Sequence, residues 1–150
     1  MFVRLALESD ADIFVELSRL AVEESAPHIT FEPEVVRDTF RLYLDTANPT
    51  IWLVDDNREV TGFLLATMSQ YRFSRSLFTT QEVLWVHPAK RRTQAAALLV
   101  QNLVEWSDIL GAVETTGGND NGLLTENTAR LLERFGFKRV GIFMRRKAHG

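Results

Sequence analysis

Cysteine is absent from the 150 residues. That excludes disulfides, thiolate metal ligands and a cysteine nucleophile. Histidine is scarce: His28, His87 and His149 stand alone, with no pair at helical spacing. No histidine-based metal site is expected, and none of any other kind is read. No apolar run approaches the ~20 residues that span a bilayer. The opening MFVRLALESDAD turns acidic too early for a secretory signal, so the expected home is the cytoplasm and no membrane partner is expected. Linkers, repeats and low-complexity stretches are also missing. A single domain over 1–150 is therefore expected, with enough chain to bury a core. The 45% hydrophobic and 25% charged fractions exclude wholesale disorder.

The net charge of −3 hides an asymmetry. Residues 1–60 carry five arginines against thirteen acids, a local −8, and the remainder carries +5. Two ligand surfaces of opposite charge would explain the split, and so would scattered surface charge. Lys90-Arg91-Arg92 and Arg145-Arg146-Lys147 are the basic clusters. Without interleaved aromatics, and on an acidic chain, they do not predict nucleic-acid binding.

Periodicity gives the elements. Phe2 to Leu7 alternates as a strand, and Ile13, Leu17, Leu20 and Ala21 mark a helix over about 10–24. Pro27 stops it. Pro33 opens a second helix with Val36, Phe40, Tyr43 and Leu44 on its apolar face. Ile51–Val54, the turn Asp55–Glu59 and Val60–Tyr71 read as a hairpin. Leu77–His87 is a further strand, closed by Pro88. Lys90-Arg91-Arg92 opens a long helix that runs to Leu110, with Gly111 past its end. Ala112–Thr116 is a short strand, and Gly117–Gly122 is a loop. A helix over 124–135 ends at Gly136, and Phe137–Arg146 is the last strand. The order β-α-α-β-β-β-α-β-α-β predicts an α/β (α+β) fold, a mixed sheet with helices packed on it.

The strand–loop–helix junction after Val86 carries the chemistry. Such a junction presents several backbone N–H groups, and the helix dipole favours anions there. Cations in the first turn oppose that dipole, so their presence calls for an anionic ligand. A solvated basic turn is the plainer alternative. Upstream, alternation puts Glu82, Leu84 and Val86 on one strand face. A carboxylate buried there would have its pKa raised toward neutrality, as a general base requires. A carboxylate facing solvent at the strand end is the other account. Tyr71 is either packing or a phenol available as an acid. Trp52, Trp85 and Trp106 fit core positions.

Val86-His87-Pro88-Ala89-Lys90-Arg91-Arg92 resembles the V-x-P-x-x-R segment of the GNAT superfamily of N-acetyltransferases. Leu131-Leu132-Glu133-Arg134-Phe135-Gly136-Phe137 resembles that family's closing helix, Gly-Phe and last strand. The element order agrees over nearly the whole chain. The resemblance implies a mostly antiparallel sheet of about six strands with helices on both faces. It implies acetyl-coenzyme A as co-substrate, held at Val86 and along Arg91, Arg92, Thr93, Gln94, Ala95 and Ala96. A backbone N–H at or near Val86 would receive the oxyanion, and Glu82 would be the base.

Two positions differ from the family pattern. Gln94 stands where R/Q-x-x-G-x-G/A has its first glycine, and Leu132 stands where many members carry an acidic tyrosine. Tyr71 is the phenol offered instead. His28 would border the acceptor entrance, and Glu23, Glu24, Glu32 and Glu34 would draw a cationic amine toward it. The implied activity is an acyltransferase moving acetyl to a primary amine, on a small molecule or a protein, by direct attack. The alternative is the same fold holding coenzyme A or a protein partner without turnover. A homodimer is left open.

Overall fold

The computed structural model describes residues 1–119 and 121–148, so Asp120 and His149 lie outside the described residues. The order is β1 (Phe2–Leu5), α1 (Ala11–Ser25), α2 (Pro33–Thr46), β2 (Thr50–Asp56), β3 (Glu59–Gln70), β4 (Leu77–Val86), α3 (Ala95–Leu110), β5 (Glu114–Thr116) and α4 (Thr125–Glu133). The five strands form one sheet in sequence order. Pairing is antiparallel from β1 to β4, and β5 lies parallel to β4.

The hairpin forms as expected. Asn57 and Arg58 both take positive φ, the geometry of the two-residue turn that matches strand twist. The Arg58 N–H donates to the Asp55 carboxylate at 2.9 Å and holds the turn.

Strand alternation then builds two cores. Ile51, Leu53, Phe63 and Trp85 face α1 and α2, where Phe14, Leu17 and Phe40 complete the cluster. Trp52, Val54, Leu64 and Val86 face α3, where Ala95, Leu99 and Leu103 fill the space. Helices therefore cover both faces. The Arg4 guanidinium ties β1 to the start of α1 and to β2, donating to Asp10 at 2.8 and 2.9 Å and to Asp55 at 3.1 Å. No described helix is long and apolar enough to cross a membrane.

Two expectations are corrected. The long helix begins at Ala95, not at Lys90. Pro88–Lys90 forms a 3₁₀ turn instead, and the Thr93 hydroxyl accepts from the Ala95 N–H at 3.2 Å. The three cations thus lie in the loop before α3 and do not oppose its dipole from the first turn. The strand expected over 137–146 does not form, which leaves five strands among the described residues and not six. A strand needs a neighbouring edge. This segment is tied instead to α4 through Arg139, which pairs with Glu126 and Glu133.

Candidate active site

The site is a fork in the sheet. β4 and β5 pair only at Phe78↔Glu114, Thr79↔Thr115 and Thr80↔Thr116. Hydroxyls rivet this short ladder: Thr79 to Ser107 at 2.6 Å, Thr79 to Thr115 at 2.9 Å, and Thr80 to Thr116 at 3.0 Å. Past Thr80 the strands separate, and the Gln81 amide reaches across to the Gly118 carbonyl at 3.2 Å. Gly117 faces Gln81, and a Cβ there would stand 3.0 Å from the Gln81 Oε1. That oxygen is buried and has no hydrogen-bond partner among the described residues.

Beyond the fork β4 has a free backbone edge. The His87 N–H points the other way, to the Thr61 carbonyl on β3 at 2.8 Å. Backbone groups alternate along a strand, so the N–H and C=O of Val86 and Leu84 face the open side. Gly62 makes the close approach of β3 possible here, because a Cβ would meet the Trp85 carbonyl at 2.8 Å.

The bulge in β4 decides where Glu82 points. Ala66 pairs with Gln81 and Leu65 with Val83, so Glu82 is the extra residue. Bulges re-aim side chains. The Glu82 carboxylate accepts from the Thr67 hydroxyl at 2.9 Å and is exposed. Thr67 shares the α1/α2 face with Leu65 and Phe63. The expected common face of Glu82, Leu84 and Val86 is therefore corrected: Leu84 and Val86 pack toward α3, on the opposite side. The burial expected for Glu82 is absent as well.

The loop after Val86 is organised by Arg91. Its guanidinium grips the Glu24 carboxylate of α1 at 2.5 and 2.9 Å. Its Nε donates to the Val86 carbonyl at 3.0 Å, and it covers the Trp85 ring at 5.8 Å. The Trp85 indole donates to the same Glu24 at 3.2 Å. Arg91, with Trp85, holds the Glu24 carboxyl below the usual carboxylate range despite partial desolvation. Arg91 is thus engaged with protein, while Lys90 and Arg92 remain at the surface side of the loop. Thr93 and Gln94 are exposed, and Ala95 is buried. Gln94 sits at φ −80°, a conformation that asks for no glycine. The first helical bond of α3 runs from the Leu98 N–H to the Gln94 carbonyl. The amides of Ala96 and Ala97 come before it and are the spare donors of a helix start.

Tyr71 is elsewhere. It packs on Phe78 at 4.7 Å and its hydroxyl donates to Glu114, at the closed end of the fork. Eight residues of extended chain, about 26 Å, separate Phe78 from Val86. The bond to Glu114 also pushes the phenol up to about 12. Tyr71 is therefore corrected from a candidate acid to a strand-end packing residue. Leu132 is buried and apolar. His28 is exposed in the α1–α2 loop. Gln81 and Gly62 are site-shaping residues that pattern reading missed, and Glu24, expected among the acids that draw an amine, is instead the partner of Arg91 and Trp85. Each depends on tertiary neighbours, and none carries a spacing signal.

The chain matches the model of the acetyltransferase (GNAT) family over residues 14–137. No curated protein matches in sequence. Solved structures share the fold. A glucosamine-6-phosphate N-acetyltransferase from Arabidopsis thaliana is 16% identical, with 97% of each chain covered and a TM-score of 0.76. An aminoglycoside 6'-N-acetyltransferase from Acinetobacter haemolyticus is 17% identical, with 98% of this chain and 99% of that one covered and a TM-score of 0.73. A transcriptional regulator from Bacillus halodurans is 21% identical, with 95% and 97% covered and a TM-score of 0.79. At such identities the likeness speaks for the fold alone.

Proposed function

We propose that this chain, which belongs to the GNAT acetyltransferase family, acts as a single domain that moves acetyl from acetyl-coenzyme A to a primary amine by direct attack. The observation that carries the reading is the fork itself. It combines a free β4 edge beyond Thr80, spare α3 amides, and two cations in the connecting loop. The residues present fit the co-substrate. The α3 amides with Lys90 and Arg92 suit a pyrophosphate. The buried, unpartnered Gln81 Oε1 at the fork suits an amide N–H donor. The co-substrate supplies an activated thioester.

The chain's own groups divide the remaining work. The Val86 or Leu84 N–H, turned to the open edge, is a donor for developing oxyanion charge. Glu82, oriented by Thr67 on the α1/α2 face, takes the proton that the acceptor ammonium must lose before its neutral amine attacks. The acidic residues Glu23, Glu32 and Glu34 raise the local concentration of a cationic acceptor. With no cysteine, no acyl-enzyme is formed on a thiol. With Leu132 in place of a phenol and Tyr71 remote, the thiol leaves as thiolate or takes its proton from water. Alkyl thiols have pKa values near ~8.5, so this is feasible near neutrality.

The test is release of free thiol from acetyl-coenzyme A across a panel of small amines, lysine peptides and peptide N-termini. Wild type should turn over at least one class. Glu82→Gln should lose about 10²–10⁴-fold in turnover and keep its affinity for acetyl-coenzyme A. The buried Leu132 favours a second reading, a ligand-binding module without turnover. Tight binding with no acetylated amine would establish it.

A further inference from the structure

β3 outruns its neighbour. The last rung between β2 and β3 is Thr50↔Ala66, yet β3 continues to Gln70. From Thr67 onward the β2 side of β3 therefore has no described strand beside it. That stretch carries Thr67, whose hydroxyl donates to the Glu82 carboxylate at 2.9 Å. On its other side it pairs with β4, as Thr67↔Thr80 and Met68↔Thr79.

One side chain fills the gap. The Asn48 Nδ2 donates to the Met68 carbonyl at 3.1 Å, and the Asn48 Oδ1 accepts from the Met68 N–H at 3.1 Å. Two bonds exchanged with a single residue are what a strand neighbour supplies at a hydrogen-bonded pair. Here a side-chain amide supplies them. The Met68 N–H belongs to the peptide that joins Thr67 to Met68. The clamp thus fixes the backbone on which the Thr67 hydroxyl is mounted.

The turn after α2 prepares the seat of Asn48. Ala47 leaves the helix in the left-handed region. The Thr46 hydroxyl donates to the Leu42 carbonyl at 2.9 Å and accepts from the Asn48 N–H at 3.5 Å. The Thr50 hydroxyl donates to the Ala47 carbonyl at 2.7 Å. Asn48 is exposed, so water could satisfy its amide without ordering the side chain. Ordering it against Met68 gives that order to the stretch bearing Thr67.

We propose that Asn48 is a positioning residue, which aims the Glu82 carboxylate through the Met68 peptide and Thr67. The inference rests on the reading of Glu82 as the group that takes the acceptor's proton. Such a group works only within hydrogen-bond reach of that proton. Glu82 is exposed on a bulge, where little packing restrains its rotamers, and the Thr67 hydroxyl orients it.

The thiol-release assay compares wild type, Asn48→Ala, Thr67→Val, Glu82→Gln and the Asn48→Ala/Glu82→Gln double variant. Asn48→Ala and Thr67→Val should each lower kcat about tenfold, less than the ~10² that a 1 Å misplacement costs, with acetyl-coenzyme A affinity unchanged. In the double variant Asn48→Ala should cost nothing beyond Glu82→Gln, because a residue that acts through the base has no effect once the base is gone. NMR gives a readout that needs no turnover: the contact between the Thr67 methyl and the Glu82 γ-protons should weaken in Asn48→Ala. Asn48→Asp, which keeps the acceptor for the Met68 N–H, should retain part of that contact and part of the turnover. Circular dichroism checks that each variant is folded. An Asn48→Ala loss that multiplies with the loss in Glu82→Gln, or an unchanged methyl contact, would overturn this inference alone. A Glu82→Gln enzyme with wild-type turnover, or a wild type with none, would overturn the reading of Glu82 and this inference with it.

Discussion

Arg91 is the residue whose role the structure changes most, and its replacement separates two explanations cleanly. Arg91→Ala removes the two-pronged bond to Glu24, the bond to the Val86 carbonyl and the cover over Trp85. The pair is partly open to water, with side chains 28% and 32% exposed. A charge-assisted bidentate pair contributes about 1.5–3 kcal/mol when well shielded, and an exposed pair about 0–1. An intermediate figure of about 1–1.5 kcal/mol suits this one. The carbonyl bond adds about 1 kcal/mol and the ring contact about 0.5. The variant should lose about 2.5–3 kcal/mol, which at this chain length lowers Tm by about 5–12 °C.

Glu24→Gln keeps the shape and loses the charge, at about 1 kcal/mol, and the double variant should show coupling of similar size. The measurement is calorimetric melting without ligand. The Glu24 carboxyl is held down chiefly by Arg91, so the pair's contribution is complete above the ordinary carboxylate range. It is lost as the pH falls through the lowered folded value, so wild type and Glu24→Gln should converge in acid. An unchanged Tm for Arg91→Ala together with a tenfold or greater loss of acetyl-coenzyme A affinity would refute the reasoning. Arg91 would then belong on the ligand.

Asp10→Asn should cost about 2–3 kcal/mol in urea unfolding, because Arg4 and the Leu7 N–H lose a buried charged acceptor. Asp10 is held below its ordinary value chiefly by Arg4, so this stabilisation is present above pH ~4 and fades as the pH falls further. Gly62→Ala should destabilise by about 1–3 kcal/mol and weaken acetyl-coenzyme A binding in calorimetry, since its Cβ would press on the Trp85 carbonyl and Val86. Tyr71→Phe should leave turnover unchanged in the thiol-release assay. It should also remove one phenol titrating near pH 12 from the ultraviolet spectrum; a collapse in turnover would restore Tyr71 to the chemistry.

The elements that rest on local chemistry were legible. Pro33 opens α2, Gly111 closes α3 in the left-handed region, and the Asp55–Glu59 turn makes the hairpin. The strand end before Pro88 was legible for the same reason, but the helix after it starts at Ala95, five residues later than expected. Glu82 was located on the right strand but on the wrong face. Strict alternation has no way to announce a bulge, which exists only relative to the partner strand. Tyr71 looked near the cleft because β3 ends there in sequence. Antiparallel pairing carries that end to the closed side of the fork. Arg91 was read as a phosphate ligand because nothing in its neighbours' spacing reveals Glu24, 67 positions away. The segment 137–146 is read as a strand, but a strand needs a neighbouring edge, and it joins none among the described residues.

For the co-substrate arm proposed above, the three rungs between β4 and β5 would be a depth stop. The arm could travel no further than the Thr80–Thr116 rung, and the Thr79–Thr115 rung next to it is anchored to α3 by the Thr79–Ser107 hydroxyl bond. Moving the stop by one rung would displace a bound acyl carbonyl by about 3.3 Å. A shift of only 1 Å already costs about 10²-fold where reacting groups are held in line. On the proposed function, the threonines would set the reach of the acyl group to Glu82, which lies two residues past the stop. Lengthening the ladder would leave every candidate catalytic group in place and still take the reaction out of register.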